Sequence, residues 1–259
     1  MSASEALSLP ESGAPEGGPE MTVIEHLEEL RWRIIKAGAA VLLAAVVVFV
    51  YNNPIIRFLE RPLHVSTGPL GLKPLEAVLI FTSPGEYFFA VVKLALLGGL
   101  YLALPVVLYQ VLAFVGPGLL PAERRLAVPT VVGGFALFTL GMAFAYYLML
   151  PAGLQFLVGF APAEVRPMLS IGKYLGFSAG LVFATGLAFE MPLFLLAASA
   201  LGVVTSYSLR AQRRPAIMIA FVLAALLTPS VDVFSQLVLA LALYALYEIS
   251  IVLIRLTGK

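Results

Sequence analysis

Three glutamates stand out because apolar sequence surrounds or follows them. Glu190, in LAFEMPLF, is the only charged side chain between Tyr174 and Leu201. Glu29 lies in HLEELRWR and Glu123 in LLPAERR, each just ahead of a long apolar run. An ionised carboxylate can accept two parallel hydrogen bonds from a guanidinium group, whereas a low dielectric favours the neutral acid, which donates. These residues therefore offer cation recognition, hydrogen bonding or proton transfer.

The sequence lacks the residues and motifs for several kinds of metal-binding and catalytic site. The chain contains no cysteine, and both of its histidines, His26 and His64, lie outside the apolar runs. Thiolate metal sites and thiol nucleophiles are thus excluded, and a haem ligand or a serine–histidine membrane hydrolase is disfavoured. The phosphate-binding pattern G-x-x-x-x-G-K-[ST] does not occur. We therefore expect neither enzyme activity, nor a metal site, nor a cofactor.

The composition places these residues in a membrane protein. Of 259 residues, 61% are apolar and 12% are charged, whereas soluble domains carry about 25% charged residues. Apolar runs of the roughly 20 residues needed to cross a bilayer recur along the chain. Residues 1–21 are rich in Ser, Pro, Gly and Glu and lack Lys and Arg, which predicts a disordered acidic tail. Residues 22–259 are predicted to form one all-α domain with six transmembrane helices.

The six spans also predict an orientation. They are placed at Ile34–Tyr51, Leu94–Val115, Leu126–Leu150, Tyr174–Leu201, Pro215–Leu227 and Val233–Ile254. Both termini then fall on one side of the membrane. That side holds ten of the 16 Lys and Arg residues and the other side holds six. Because positive charge marks the cytoplasmic side, both termini are expected in the cytoplasm.

The last two spans are predicted to be short. Pro215–Leu227 as a helix covers about 20 Å, against a hydrocarbon core of about 30 Å. The final span is apolar without interruption only from Leu237 to Tyr247, and a very short turn joins the two. The segment at about 52–93 is rich in proline, and its end, PGEYFFAVVK, has features of a helix start. It predicts a non-cytoplasmic cap with a short helix that runs into span two.

Glu29 and Glu123 each have a purely structural interpretation. Glu25, Glu29 and Arg33 share one helical face at i, i+4 spacing, which favours ion pairing within the helix. Pro121 fits the first position of the helix that leads into the third span, so Glu123 lies in the first turn of that helix, where the helix dipole favours a carboxylate. Capping does not explain why Phe114 and a glycine-rich turn lie nearby. Ligand binding and local stabilisation both remain open for the two glutamates.

Glu190 has the weakest structural interpretation. An acidic group at the centre of the bilayer costs about 2.5–3.5 kcal/mol on insertion scales, and such groups usually face a protein interior or a wet cavity. Pro192 follows closely and removes one backbone hydrogen bond. A polar binding notch inside the membrane is therefore favoured over a purely structural role.

Six stretches occur in a characteristic order between about residue 22 and residue 255: HLEELRWR, SPGEYFFAVVKLAL, LPVVLYQVLAFVGPGLLPAERR, GMAFAYYLMLP, LAFEMPL and LLTPSVDVFSQ. Together they resemble the TatC family, the multispanning core of the twin-arginine protein translocase. The resemblance implies a cupped six-helix protein of the cytoplasmic (inner) membrane. Its cytoplasmic face would bind the twin-arginine signal peptides of folded exported proteins. TatA- and TatB-type single-span subunits would pack against it, and the proton-motive force would drive transport.

The resemblance also implies roles for particular residues. Glu29 and Glu123 match the family's signal-binding carboxylates, with Arg31 and Phe114 beside them, and Glu190 matches a buried glutamate that we interpret as a docking point for a partner helix. Further positions match the pattern as structural or functional support: Pro62, Pro105, Gln110, Asp232 and Gln236. We expect a homo-oligomer within a larger complex in the lipid bilayer, without a nucleic-acid partner.

Two alternatives compete with this interpretation. A proton-coupled secondary transporter could use Glu190 as its proton or substrate site. Such transporters usually show internal repeats and interrupted helices in paired positions, and neither is visible in the sequence. An intramembrane enzyme is disfavoured because nucleophile–base pairs are missing.

Overall fold

The computed structural model describes residues 23–64, 75, 77–116, 127–159, 167–228 and 233–256. Helices dominate this part of the chain: α1 (Val23–Val50), α2 (Asn52–His64), α3 (Glu86–Leu102), α4 (Leu104–Val115), α5 (Ala127–Phe144), α6 (Leu150–Gly159), α7 (Ile171–Phe189), α8 (Met191–Ala200), α9 (Ser206–Ala211), α10 (Arg213–Leu227) and α11 (Val233–Leu256). A π-helical segment, Ala145–Met149, joins α5 to α6. Two short strands, β1 (Val78–Ile80) and β2 (Met168–Ser170), complete the described elements. The predicted tail falls outside the described residues.

Two contacts mark the two ends of the bundle: His26 near the start of α1 lies against Phe114 near the end of α4, and Glu86 at the start of α3 bonds Ser170 just before α7. We call the end where α1 begins and α4 finishes the N-terminal face, and the opposite end, which carries α2, β1 and β2, the cap face. Within the described residues, four helical stretches are long and apolar enough to cross a membrane: Ile24–Val50, Val128–Gly159, Ile171–Ala200 and Ser235–Leu256. The pair α3 and α4, bent by 56°, gives a fifth if it is counted as one span.

Two of the predicted spans are broken rather than continuous, and proline lies at each break. Ala103 separates α3 from α4, and Pro105 is in the first turn of α4. Glu190 separates α7 from α8, and Pro192 is in the first turn of α8. Proline has no N–H to donate to the preceding turn, so it favours a bend at these points.

The prediction of two short final helices is confirmed for α10 and wrong for α11. α10 has 15 residues, about 22 Å of helix, and is too short to pass as a span by itself. α11 has 24 residues and ends two residues beyond the predicted Ile254, because the polar positions on either side of its apolar centre are paired with α10 instead of ending the helix. Gln236 donates to the Phe221 carbonyl over 3.5 Å, and Glu248 accepts from Arg213 over 2.7 Å. Both partners lie on α10.

The prediction of a helical protein is confirmed, with one exception in the described part of the chain, where the two strands form a parallel ladder. Val78 pairs with Met168 and Ile80 with Ser170. The ladder connects the segment before α3 to the segment before α7. Glu86, in the first turn of α3, reinforces this connection by accepting from the Ser170 hydroxyl and from the Gly172 N–H. Three-residue strands carry too little alternation to be recognised from sequence.

A hydrogen bond across the cap compensates for Pro62, which lies inside α2 and is buried. Proline at this position supplies no N–H for the carbonyl of Phe58, one turn earlier. The hydroxyl of Tyr146, in the π-helical segment, donates to that carbonyl over 2.6 Å. The rings of Phe58 and Tyr146 also stack, with centroids 4.1 Å apart. The π-helical turn therefore places Tyr146 where α2 needs a donor.

We expect Tyr146→Phe to destabilise the cap, because the Phe58 carbonyl loses its donor while the stacked ring is kept. An unsatisfied acceptor costs about 1–3 kcal/mol when it is buried, and this bond is partly buried, so the apparent melting temperature of the detergent-solubilised protein should fall by a few degrees. Tyr147→Phe is the matched control, because Tyr147 is 44% exposed. Equal melting temperatures for the two variants would contradict this role of Tyr146.

Candidate functional site

Glu29 lies on the N-terminal face, where the second turn of α1 packs beside the end of α4. Arg33, one turn further along α1, donates to Oε1 of Glu29 through both Nε, at 3.0 Å, and Nη2. The Nη1 group of Arg33 lies 3.4 Å from Oε1 of Gln110 on α4. The predicted ion pair within α1 is therefore present, and Gln110 connects it to the neighbouring helix.

An aromatic stack adjoins this ion pair. The rings of His26 and Phe114 lie almost parallel, 13° apart, with centroids separated by 4.3 Å. Nδ1 of His26 is 3.6 Å from Oε2 of Glu29, beyond normal hydrogen-bond length. The structure thus brings together Glu29 and Phe114, which sequence analysis singled out, with His26, which it missed. The i, i+3 spacing of His26 and Glu29 was the available signal.

Glu29 uses only one of its two carboxyl oxygens. Oε1 accepts from Arg33, whereas Oε2 is shielded from solvent and has no hydrogen-bond partner among the described residues. The side chain as a whole is 19% exposed. A buried acceptor without a donor is uncommon in folded proteins and indicates a missing partner. The arrangement can accept a further cationic or N–H donor at Oε2.

The other residues predicted for this site are not all part of the cluster. Arg31 is exposed on a different face of α1, with its guanidinium carbon 6.0 Å from the centroid of the Trp32 ring. Glu123 and Asp232 lie outside the described residues. Arg33 donates to Glu29 in the described structure, and the role that the resemblance implies for Arg31 stays a prediction.

Glu190 occupies the break between α7 and α8 and is 1% exposed. Neither of its carboxyl oxygens has a hydrogen-bond partner among the described residues. Gly134 of α5 makes room for it, because a Cβ atom at position 134 would lie 3.2 Å from Oε2 of Glu190 and 2.8 Å from Leu108. Two unpaired acid oxygens inside a membrane bundle are costly. Glu190 is therefore the least satisfied polar group of this region.

A surface groove of about 400 Å³ lies next to Glu190. Its wall combines Gly133, Gly134 and Leu137 of α5 with Pro192 and Leu196 of α8. Gly134 and Pro192 both adjoin Glu190, one by the contact described above and the other in sequence. The groove has the apolar lining and small residues that favour close packing of another membrane helix.

Pro62, Pro105 and Gln236 have structural positions in the described chain. Pro62 lies in α2, Pro105 at the bend before α4, and Gln236 faces the Phe221 carbonyl of α10. Within the described ranges, no group of three or more His, Asp or Glu residues is placed to hold a metal ion. The functional geometry consists instead of two incompletely paired carboxyl groups, one on a surface and one inside the bundle.

Known proteins share this architecture and sequence. The family model for the Sec-independent protein translocase protein (TatC) matches residues 25–241. The chain is 40% identical over 240 residues to the Sec-independent protein translocase protein TatC of Synechocystis sp., covering 93% of this chain and 90% of that protein. It is 39% identical over 241 residues to TatC of Aquifex aeolicus, covering 92% and 97%.

A solved structure agrees with these sequence matches. A crystal structure of the twin-arginine translocase receptor TatC superposes with a TM-score of 0.76 at 38% identity, covering 91% of this chain and all of that one. With its apolar helices long enough to span a membrane, the chain is a multi-pass membrane protein and a translocase component rather than an enzyme, and it belongs to the TatC family of Sec-independent protein translocase proteins.

Proposed function

We propose that this protein binds twin-arginine signal peptides of folded proteins at the cytoplasmic face and recruits TatA- and TatB-type subunits for export driven by the proton-motive force. The single observation that best supports this proposal is that only one of the two carboxyl oxygens of Glu29 accepts a hydrogen bond from a described residue. Its Oε2 atom is shielded from solvent, has no hydrogen-bond partner among the described residues and lies next to the His26 ring that stacks on Phe114. An arginine side chain is the ligand whose chemistry fits these features, since it is planar, cationic and rich in N–H donors.

The orientation in this proposal rests on the distribution of basic residues. With spans that alternate in direction, seven of the described Lys and Arg residues fall on the side of the N-terminal face: Arg31, Arg33, Lys36, Arg210, Arg213, Arg214 and Arg255. Four fall on the side of the cap face: Arg57, Arg61, Lys93 and Lys173. The positive-inside rule then assigns the N-terminal face to the cytoplasm. The protein would lie in the cytoplasmic membrane with six spans, counting α10, and both termini inside.

Two adjacent arginines require two carboxylates. Glu29 supplies one, and we propose that Glu123, which precedes the third span in sequence, supplies the other. A carboxylate binds a guanidinium group through two parallel hydrogen bonds, which lysine cannot reproduce. Partial burial of Glu29 strengthens this discrimination because the local dielectric is lower than in water.

The groove beside Glu190 is proposed to receive the transmembrane helix of a TatA- or TatB-type subunit. An apolar wall with two glycines allows a helix to approach closely, and a neutral Glu190 can donate a hydrogen bond to it. The protein would function as one of several copies in a larger complex.

A proton-coupled secondary transporter is the second candidate, because Glu190 lies at a broken helix and its carboxyl group has no hydrogen-bond partner in the described part of the chain. Broken helices near the middle of the membrane form the substrate sites of many transporters. Proton-dependent solute flux into vesicles that contain only this protein would support the transporter. The absence of flux together with binding of signal peptides would exclude it.

Site-specific crosslinking tests the receptor proposal. A signal peptide with a photoreactive residue next to its arginine pair is expected to react with α1 near His26–Arg33 or with the last turn of α4. An unlabelled twin-arginine peptide should compete, and a twin-lysine peptide should not. Adducts located mainly on the cap face, or equal competition by both peptides, would contradict the proposal.

A further inference from the structure

We propose that the imidazole ring of His26 occupies the subsite of one signal arginine and must leave before that arginine binds. This inference rests on the proposed function, and it adds an internal competitor to the receptor. It makes His26 a residue that sets the affinity and selectivity of the site, although it was not expected to take part in recognition.

The stack of His26 on Phe114 has the geometry that an arginine side chain would adopt. A guanidinium group is planar, stacks on aromatic faces and donates to a carboxylate in its own plane. The His26 ring is also planar, lies 4.3 Å from Phe114 and is inclined to it by only 13°. Its Nδ1 atom points to the same carboxylate, Glu29, at 3.6 Å. The imidazole ring therefore lies in both places where a guanidinium group would make contact: on the face of Phe114 and beside the carboxylate of Glu29.

The imidazole ring makes only some of the contacts that this subsite offers, so its replacement by a guanidinium group would lower the free energy of the site. The Nδ1 to Oε2 distance exceeds normal hydrogen-bond length, and Oε2 of Glu29 has no other partner among the described residues. Arg33 donates only to the other carboxyl oxygen of Glu29, Oε1. An incoming guanidinium group can donate directly to Oε2, so it gains a bond that His26 does not make.

His26 is also free to move, whereas Glu29 is held. The His26 side chain is 43% exposed, so rotation about its side-chain bonds brings the ring into solvent. Glu29 stays fixed by Arg33, which Gln110 in turn contacts from α4. A lysine ammonium is a point charge without a planar face. It can pair with Glu29 but cannot replace the stack on Phe114, so displacement of His26 favours arginine.

Affinity measurements provide the first test. His26→Ala is expected to bind a synthetic twin-arginine signal peptide about three- to tenfold more tightly, because it removes one competing aromatic stack. His26→Phe keeps a ring over Phe114 and should bind no more tightly than the unmodified protein. His64→Ala is the control for loss of a histidine elsewhere. Weaker or unchanged binding by His26→Ala would overturn the inference.

Histidine NMR provides a direct second test, since the chain has only two histidines. The ring protons of His26 should be shifted upfield by the stacked Phe114 ring, and Phe114→Leu should abolish that shift. Binding of the twin-arginine peptide to the unmodified, histidine-labelled protein in detergent is expected to remove the shift from His26 while His64 stays unchanged. A His26 signal that keeps its shift in the bound state would refute displacement.

The two proposals fail in distinguishable ways. Glu29→Ala reports on the receptor assignment, because it removes the carboxylate itself. If Glu29→Ala loses binding but His26 neither competes nor moves, the receptor proposal stands and the displacement inference is wrong. If the unmodified protein shows no preference for arginine over lysine peptides, both proposals are wrong.

Discussion

Glu123→Ala is expected to abolish the preference for twin-arginine over twin-lysine signal peptides, and Glu29→Ala is expected to reduce it to a lesser degree. Both variants should still insert into the membrane. The loss of a partly buried, charge-assisted hydrogen bond costs about 1.5–3 kcal/mol, roughly ten- to a hundredfold in affinity. The measurement is binding of paired arginine and lysine peptides to detergent-solubilised protein.

Matched variants separate recognition from helix stability at Glu29. Glu29→Gln keeps the size of the side chain and removes its charge, so it should reduce the arginine preference about as much as Glu29→Ala does. Glu28→Ala removes a neighbouring carboxylate that is exposed on another face of α1, and it should bind normally. If Glu123→Ala retained the full arginine preference, Glu123 would be a helix cap. If Glu28→Ala and Glu29→Ala behaved alike, the cluster around Glu29 would not be the site.

Glu190→Ala is expected to weaken binding of a TatA- or TatB-type helix while leaving insertion and signal binding largely intact. The substitution removes a hydrogen-bonding group next to the groove. Hydrogen bonds between membrane helices contribute about 0.6–2 kcal/mol, roughly three- to thirtyfold in affinity. Glu190→Gln should be milder, because its amide can still donate. Crosslinking of the partner helix to groove positions such as Leu137 or Leu196, together with transport, measures the effect.

Ser199→Ala is the control for this experiment. Ser199 lies on α8, is 2% exposed, and its hydroxyl lacks a hydrogen-bond partner among the described residues. It tests whether removal of any buried polar group from this part of the bundle disturbs the partner. Normal crosslinking and transport by Glu190→Ala, or an equal defect in Ser199→Ala, would show that Glu190 is not the docking point.

The sequence by itself determines the features that depend on local properties. Apolar runs predict the long membrane helices because transfer free energy adds along the chain. The i, i+4 spacing of Glu29 and Arg33 predicts their ion pair, since helix geometry alone brings them together. Glu190 is recognisable because a carboxyl group inside an apolar run is costly wherever the helix packs. The order of the six motifs also indicates the family, because motifs can be compared along the chain without any knowledge of tertiary contacts.

Only the tertiary structure decides which residues meet across helices. Nothing local places His26 against Phe114, or Tyr146 beneath the Phe58 carbonyl that Pro62 leaves without a donor. The expectation that α11 is short is wrong because the polar residues on either side of its apolar centre are paired with α10, a neighbour whose position no local pattern reveals. Such contacts depend on how helices cross and bend, and a small rotation of α4 would leave Glu29 without its aromatic neighbour. The carboxylates are therefore evident from sequence, whereas the packing of the bundle decides what each of them faces.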